Sequence, residues 1–286
     1  MTFLNDYLKA IYGCKVYKLA LSANLTCPNR DGTLSDRGCT FCSAGGSGEF
    51  AAAGSIPEQI VQAKERVAGK IRDGKYIAYF QSFTNTYGPV SYLRKIYYEA
   101  IQPEDIVILS IGTRPDCLDD DVLDLLKEIN HIKPVWVELG LQTIHDDTAV
   151  RINRCYPLSV YDAAVSRLKD AGIDVVTHVI LGLPGETEEM MLDTVRYVVA
   201  SGVSGIKLQL LQILRGTAMA EEYEKGNVSV MTLPAYAALI RKAVDLIPDS
   251  IVIHRLTGDG PKKLLLAPSW SGDKKRVLNT LRQYLG

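Results

Sequence analysis

The chain has 286 residues, 47% hydrophobic and 23% charged, with 32 basic against 33 acidic side chains and a net charge of −1. This suffices for one large α/β domain with a sizeable core, or two small ones, and excludes a globally basic protein; nucleic-acid binding would need a local patch or a partner. No stretch is long and apolar enough to span a bilayer, and MTFLNDYLKAIYG lacks the charged start and apolar run of a signal peptide, so a cytoplasmic protein without membrane contact is expected.

In chain order, a strand is predicted around Val16–Leu21 and a helix over about 57–70. From residue 76 short apolar runs alternate with longer amphipathic ones. The strands are Tyr76–Gln81, Ile106–Ile111, Val135–Leu139, Val175–Leu181, Ile206–Leu211 and Ile251–His254, rich in Val, Ile, Leu and Tyr as buried parallel strands are. The helices between them are 89–102, 119–130, 159–171, 187–201 and 232–246. Ser159 precedes the third and Gly172 follows it; Thr187 opens the fourth, with Glu188 and Glu189 in its first turn, and Gly202 follows. Repeated β-α units imply a parallel sheet. Six or seven of them can close into a full or partial (β/α) barrel, with a doubly wound open sheet as the alternative. The tail 258–286 changes character, to Gly, Pro and Trp and then a short basic helix over 273–284. The expectation is a barrel domain over 1–257 and an extension over 258–286 packed on it.

Six cysteines occur, at 14, 27, 39, 42, 117 and 155, and the chain is too long, and without an export signal, for a disulfide scaffold. Only Cys27, Cys39 and Cys42 sit close together, spaced C-x11-C-x2-C in a loop that follows the first strand. That loop lies at the C-terminal end of the sheet, where barrel and open α/β enzymes build their sites. Structural zinc takes four ligands, and none of the four histidines is near in sequence. Three thiolates on a [4Fe–4S] cluster leave one iron open. A zinc site with a distant fourth ligand, or free thiols, remain the other readings of these cysteines alone. Cys14, Cys117 and Cys155 are scattered singles and are expected to be structural.

The loop resembles that of the radical SAM superfamily, with a longer first gap than the usual C-x3-C-x2-C. The string KVYKLALSANLTCPNRDGTLSDRGCTFC is similar to the YhcC/YtqA-like (MnmL-type) branch, and the likeness continues to HRLTGDGPKKLLLAPSWSGDKKRVL. The resemblance implies an α/β fold, a partial or full (β/α) barrel of about six parallel strands with a short C-terminal extension. It implies one [4Fe–4S] cluster on Cys27, Cys39 and Cys42, and S-adenosylmethionine (SAM) as cofactor. Phe41 sits where the superfamily favours an aromatic near the adenine. Gln81, Ser82 and Thr84 occupy the position of the glycine-rich motif that contacts the SAM amino group; an ordinary polar turn is the plain alternative. Val135-Trp-Val-Glu138-Leu-Gly140-Leu-Gln142 is similar to a strand of coproporphyrinogen oxidase-like members, where Glu138 would accept from ribose hydroxyls beside Gln142; a salt bridge inside the barrel is the other role for Glu138. Arg151-Ile-Asn153-Arg154 looks like the motif whose arginine, here Arg154, pairs with the SAM carboxylate, a task suited to a planar, always charged fork; Arg151 is expected at the surface. Thr177-His178-Val-Ile-Leu-Gly182-Leu-Pro-Gly185-Glu186-Thr looks like the strand that edges the adenine, placing His178 and Gly182 at the cofactor.

Lys207, Gln209, His254, Arg255 and Trp270 are the candidate substrate residues, since polar side chains alternate along the sixth strand and a modest basic tail surrounds an aromatic. A solvated helix capping the barrel explains that tail equally well. The implied activity is reductive cleavage of SAM to a 5′-deoxyadenosyl radical, with an electron donor such as flavodoxin or ferredoxin. The branch implies tRNA as partner and the wobble uridine as target, with 5-carboxymethylaminomethyl converted to 5-aminomethyl. A small metabolite or cofactor precursor is the alternative substrate, and an iron–sulfur or zinc binding protein without catalysis the alternative class.

Overall fold

Short runs of Val, Ile, Leu and Tyr form the strands of one large sheet in the computed structural model, which describes residues 1–286 apart from Ser47, Arg72, Asp73 and Asp259 and the side chain of Lys70. The chain runs β1 (Thr2–Phe3), α1 (Leu4–Tyr12), β2 (Val16–Leu21), α2 (Ile56–Val67), β3 (Lys75–Phe80), α3 (Val90–Ile101), β4 (Ile106–Thr113) and α4 (Asp120–Asn130). It continues through β5 (Val135–Gln142), α5 (Asp146–Arg151), α6 (Leu158–Asp170), β6 (Asp174–Leu181), α7 (Glu188–Ala200) and β7 (Gly205–Leu210). The last third is β8 (Ile213–Leu214), α8 (Ala218–Glu224), α9 (Leu233–Asp245), β9 (Val252–Arg255), β10 (Leu265–Ala267) and α10 (Lys274–Leu285).

Eight strands pair in the order β1-β9-β7-β6-β5-β4-β3-β2, every pair parallel. The sheet is open, with β1 and β2 at its edges, and strongly curled. Lys207 on β7 donates to the Tyr79 hydroxyl on β3 at 3.1 Å, although four strand spacings in a flat sheet span about 19 Å. The architecture is therefore a partial (β/α) barrel, as expected, and the doubly wound alternative is set aside. The count rises from about six strands to eight. The strand with no sequence signal is β1, whose two residues add to the β9 edge opposite Val252 and Ile253.

Helices α2, α3, α4, α6, α7 and α9 bury their apolar faces, Ile60, Leu93, Leu126, Leu168, Val195 and Ile240 among them, on the outside of the sheet. Their ends follow local chemistry. Ser55 and Glu58 form a reciprocal capping box on α2, and Thr187 accepts from the Met190 amide to start α7. Ser159 does not cap α6; that helix begins one residue earlier, with Pro157 at its cap and Ser159 inside the first turn. Gly172 and Gly202 end α6 and α7 with φ of 68° and 70°, in the left-handed region that glycine enters without steric cost.

Alternate strand residues face the concave interior and build it in layers. At the bottom Leu8 of α1 packs on Val16, Ile77, Ile108, Trp136 and Val176, an apolar plug. One step up lie Lys18, Tyr79, Ser110, Glu138, His178 and Lys207, linked by hydrogen bonds. At the open C-terminal end the inward positions are Gln81, Gly112, Gly140, Ile180 and Gln209, which line a cavity. The tail stays on the same body. Strand β10 pairs antiparallel with β8, α10 buries Val277 and Leu281, and Arg241 of α9 donates to the Leu285 carbonyl at 3.0 Å.

Candidate active site

The loop between β2 and α2 carries the three clustered cysteines over the C-terminal end of the sheet. Its course is fixed from both sides. Arg30 donates to the carbonyls of Cys42 and Ser43, each at 2.7 Å. Asn29 reaches the Asn153 carbonyl at 2.6 Å, and the Asn153 amide donates to the Gly38 carbonyl at 2.8 Å. The segment after β5 thereby clamps the cysteine loop. Both Asn153 and Cys155 in that segment adopt positive φ, as do Phe83 and Gln142 at neighbouring strand ends; for side chains other than glycine this is a sparsely used region that concentrates at functional sites.

Cys27, Cys39 and Cys42 line the mouth of a cavity of about 240 Å³ that descends into the half-barrel. Phe41, Gln81, Thr84, Glu138, Gln142, Arg154 and His178 line the same cavity, as do Lys207, Gln209 and Arg255. Four predicted residues stand apart. Ser82 is buried behind the cysteine loop, where a Cβ on Gly48 would strike its hydroxyl. Gly182, with φ of 90°, passes its amide to the Met191 sulfur at 3.0 Å. His254 lies in the space Gly205 leaves open and packs edge-on against Trp136, ring centroids 5.0 Å apart. Trp270 donates to the Met231 carbonyl and lines a neighbouring hollow of about 430 Å³ with Lys262, Lys263 and Lys274. The two hollows share Leu210, Gln212, Gly258, Gly260 and Pro261. Asp259, in the motif that joins them, lies outside the described residues.

The donor set fits a cluster with SAM on two observations. Among the described residues no three His, Cys, Asp or Glu side chains converge to hold a single ion, as zinc requires with thiolates at about 2.3 Å. Three thiols spread round one mouth suit a multi-iron group, each thiolate on its own iron. Burial pushes the Cys39 thiol up to about 12, so its thiolate needs a cation; Asn29 already donates to that sulfur at 3.5 Å. Secondly, the buried Thr84 hydroxyl and the Gln142 side-chain carbonyl, both on the cavity wall, have no hydrogen-bond partner in the protein. Buried polar atoms are nearly always satisfied, and here a ligand would satisfy them.

Arg154 is 1% exposed and makes four hydrogen bonds, to the carbonyls of Leu141, Thr143 and, from two nitrogens, Tyr156. One of its five N–H donors remains. Arg114, which sequence reasoning missed, lines the wall beside it in a bidentate pair with Asp116 at 2.9 and 2.6 Å. Arg114 follows β4 directly, so its place at a strand end was the available signal. Lys18 and Tyr79 were also missed.

Glu138 sits at the floor with no exposed side-chain surface. It accepts from Lys18 at 2.5 Å, Ser110 at 2.7 Å and His178 at 2.7 Å, and from Lys207. Burial alone would raise its carboxyl; Lys18, Lys207 and His178 overcome this and hold it well below the usual carboxylate range. Burial pushes Lys207 well below the usual lysine range, with Glu138 opposing and Lys18 and Arg255 adding to the depression. Burial likewise holds His178 down at about 4, so its ring is neutral near pH 7.

Comparison with known proteins accords with this geometry. The profile of the radical SAM superfamily matches residues 32–198, and that of the radical SAM C-terminal domain matches residues 203–286. The chain is 45% identical to YtqA of Bacillus subtilis over 284 residues, 99% of this chain and 88% of the relative. It is 40% identical to YhcC of Escherichia coli over 276 residues, 96% and 88% of the two chains. Among solved structures it resembles the archaeal Elp3 of Methanocaldococcus infernus, with a TM-score of 0.71 at 18% identity. That match covers 94% of this chain and 63% of the other, and it concerns the fold.

Proposed function

The chain belongs to the radical SAM superfamily, and from that premise we propose that it is an enzyme whose cavity holds a [4Fe–4S] cluster on Cys27, Cys39 and Cys42 with SAM beside it. The observation that carries this reading is one mouth bearing three thiols above two orphaned polar atoms, Thr84 Oγ1 and Gln142 Oε1. When bound, the cluster and SAM would supply a 5′-deoxyadenosyl radical that takes hydrogen from a substrate carbon; the hard chemistry is the cofactor's.

The protein's own work is positioning. Arg30 and Asn153 hold the cysteine loop. Phe41 is offered as a wall for the adenine, and Thr84 and Gln142 as hydrogen-bond partners for the SAM polar groups. Arg154 fixes the ends around β5 through its carbonyl bonds and keeps one donor for the cofactor carboxylate. The buried floor excludes water. Gly182 and Ser82 act through the shape of the strand ends, because neither lines the cavity. The barrel domain is taken as 1–257 and the extension as 258–286.

The substrate reading is tRNA in the cytoplasm, at a wobble uridine whose 5-carboxymethylaminomethyl arm becomes 5-aminomethyl, with a flavodoxin- or ferredoxin-like reductant. It comes from the resemblance to the MnmL-type branch. It gains support from the second hollow, which adjoins the first cavity and is lined by Trp270 and three lysines; an aromatic beside ammonium groups suits a base and its phosphate. The second reading, a small metabolite or cofactor precursor, is favoured by the net charge of −1.

Anaerobic reconstitution followed by dithionite and SAM is expected to release 5′-deoxyadenosine, and Cys42→Ser to lose both bound iron and product. No release from an intact cluster would sink the enzyme reading. A nucleoside profile of tRNA from cells lacking the gene is expected to show a changed wobble uridine. An unchanged profile would remove tRNA as substrate and leave the metabolite.

A further inference from the structure

The long gap between Cys27 and Cys39 folds back on itself. The Leu34 amide donates to the Pro28 carbonyl at 2.8 Å and the Gly38 amide to the Asn29 carbonyl at 2.6 Å, which closes the excursion at its neck. Asn29 is thereby brought beside Cys39, where it is 0% exposed. Its side-chain amide donates to the Asn153 carbonyl at 2.6 Å and to the Cys39 sulfur at 3.5 Å. Both neighbours act as acceptors, and a reversed amide would set its oxygen against a carbonyl and a sulfur, so the hydrogen-bond network fixes the orientation. The resulting Oδ1 is buried without a partner among the described residues, which buried polar atoms seldom are. Holding the loop needs only the bond to Asn153, whose own side chain already grips the Gly38 carbonyl from the other side. The bond to sulfur is surplus to that task.

We infer that Asn29 is a positioning residue with a redox role: its N–H···S bond to Cys39 raises the reduction potential of the cluster. The inference rests on the cluster reading above and adds to it the residue that sets how readily the cluster is reduced. The single electron passed in by a flavodoxin- or ferredoxin-like donor increases the negative charge carried by the thiolate sulfurs. An N–H aimed at one of them therefore stabilises the reduced state more than the oxidised one, and hydrogen bonds to the sulfurs are among the levers that set such potentials. Full charges also bear on this mouth, from Arg30, Arg114 and Glu49 on the cavity wall; they are the same in every comparison below. The extended gap then has a use, because its neck is what carries an amide donor to the second cysteine.

The test uses the full-length protein, anaerobically reconstituted and without SAM, in a redox titration followed by electron paramagnetic resonance. Two variants separate tuning from loop-holding. Asn29→Leu keeps the size of the side chain and removes both amide bonds. Asn153→Gly keeps the positive φ and the carbonyl that Asn29 binds, and removes only the grip on Ser35 and Gly38. Asn29→Leu is expected to lower the ratio of reduced to oxidised cluster at a fixed potential about 10-fold, a midpoint ~59 mV more negative for one electron. Asn153→Gly is expected to lower the melting temperature and to leave that ratio within about 3-fold of the unaltered protein. An unshifted midpoint in Asn29→Leu overturns the inference, as do equal shifts in the two variants, which would assign the effect to a loosened loop. If Asn29→Leu fails to load, the unaltered protein decides. Labelled with 15N at the asparagine side-chain amides, its reduced cluster is expected to show a 15N hyperfine coupling, and no coupling overturns the inference. A reconstituted unaltered protein with no signal of a reduced [4Fe–4S] cluster strikes the cluster reading itself, whereas a normal signal with an unshifted midpoint strikes only the role of Asn29.

Discussion

Thr84 and His178 show how differently single residues in one cavity are used. The Thr84 hydroxyl has no partner among the described residues, so Thr84→Val removes a group that makes no described hydrogen bond in the unliganded fold. The variant is expected to keep or slightly raise its melting temperature while SAM binding weakens about 10-fold, the value of one lost hydrogen bond. Unchanged SAM affinity in an equilibrium binding assay would show that the hydroxyl does not face the cofactor. His178 is the reverse case, a group whose proton affinity is set by the fold. Burial, then Lys207 and Lys18, hold it at about 4 against the help of Glu138. Free imidazole titrates near ~6.5. Between those values the unfolded chain binds a proton that the folded chain refuses, so stability falls as pH drops from about 6.5 to about 4, by up to roughly 3 kcal/mol. Above that window the contribution is constant. Urea unfolding at pH 7 and pH 5 is expected to show a smaller loss for His178→Gln than for the unaltered chain; equal losses would remove this histidine as the cause. The cysteines were legible because their spacing is rare. Lys18 and Tyr79 were not, because a single inward polar side chain reads as noise until neighbouring strands bring Glu138 to it.

Among the elements, the long ones were legible and the short ones were not. The central strands are continuous apolar runs and the helices between them carry a period-3.6 pattern, and their observed bounds differ by one to a few residues from those expected. Strands β1 and β8 have two residues each, α5 has six and α8 seven; segments of that length hold fewer than two full periods, too little for a pattern to stand out, and tertiary pairing decides them. Helix α1 was not among the expected elements. Its Leu8 is buried at the centre of the plug, so Leu8→Ala is expected to cost about 2–5 kcal/mol in chemical denaturation, the range for a truncated core leucine. A cost below about 1 kcal/mol would mean that α1 is an appendage and that the barrel bottom closes without it.

For the whole molecule, β-α repetition was enough to announce a parallel sheet, yet it could not decide between a closed, a partial and a doubly wound arrangement. Curvature is set by which inward side chains meet across the sheet, as Lys207 meets Tyr79, and those meetings are not written in any local window. The cavity's position was legible from the rule that such sheets act at their C-terminal ends; its floor was not, for the same reason as the curvature. The layering of that interior also sets a measure of length. Successive inward residues on a strand are roughly 6.6 Å apart, so the floor at Glu138 and Lys207 lies one fixed step below the layer of Gly140 and Gln209, and the depth of the cavity is set by strand geometry rather than by any single side chain.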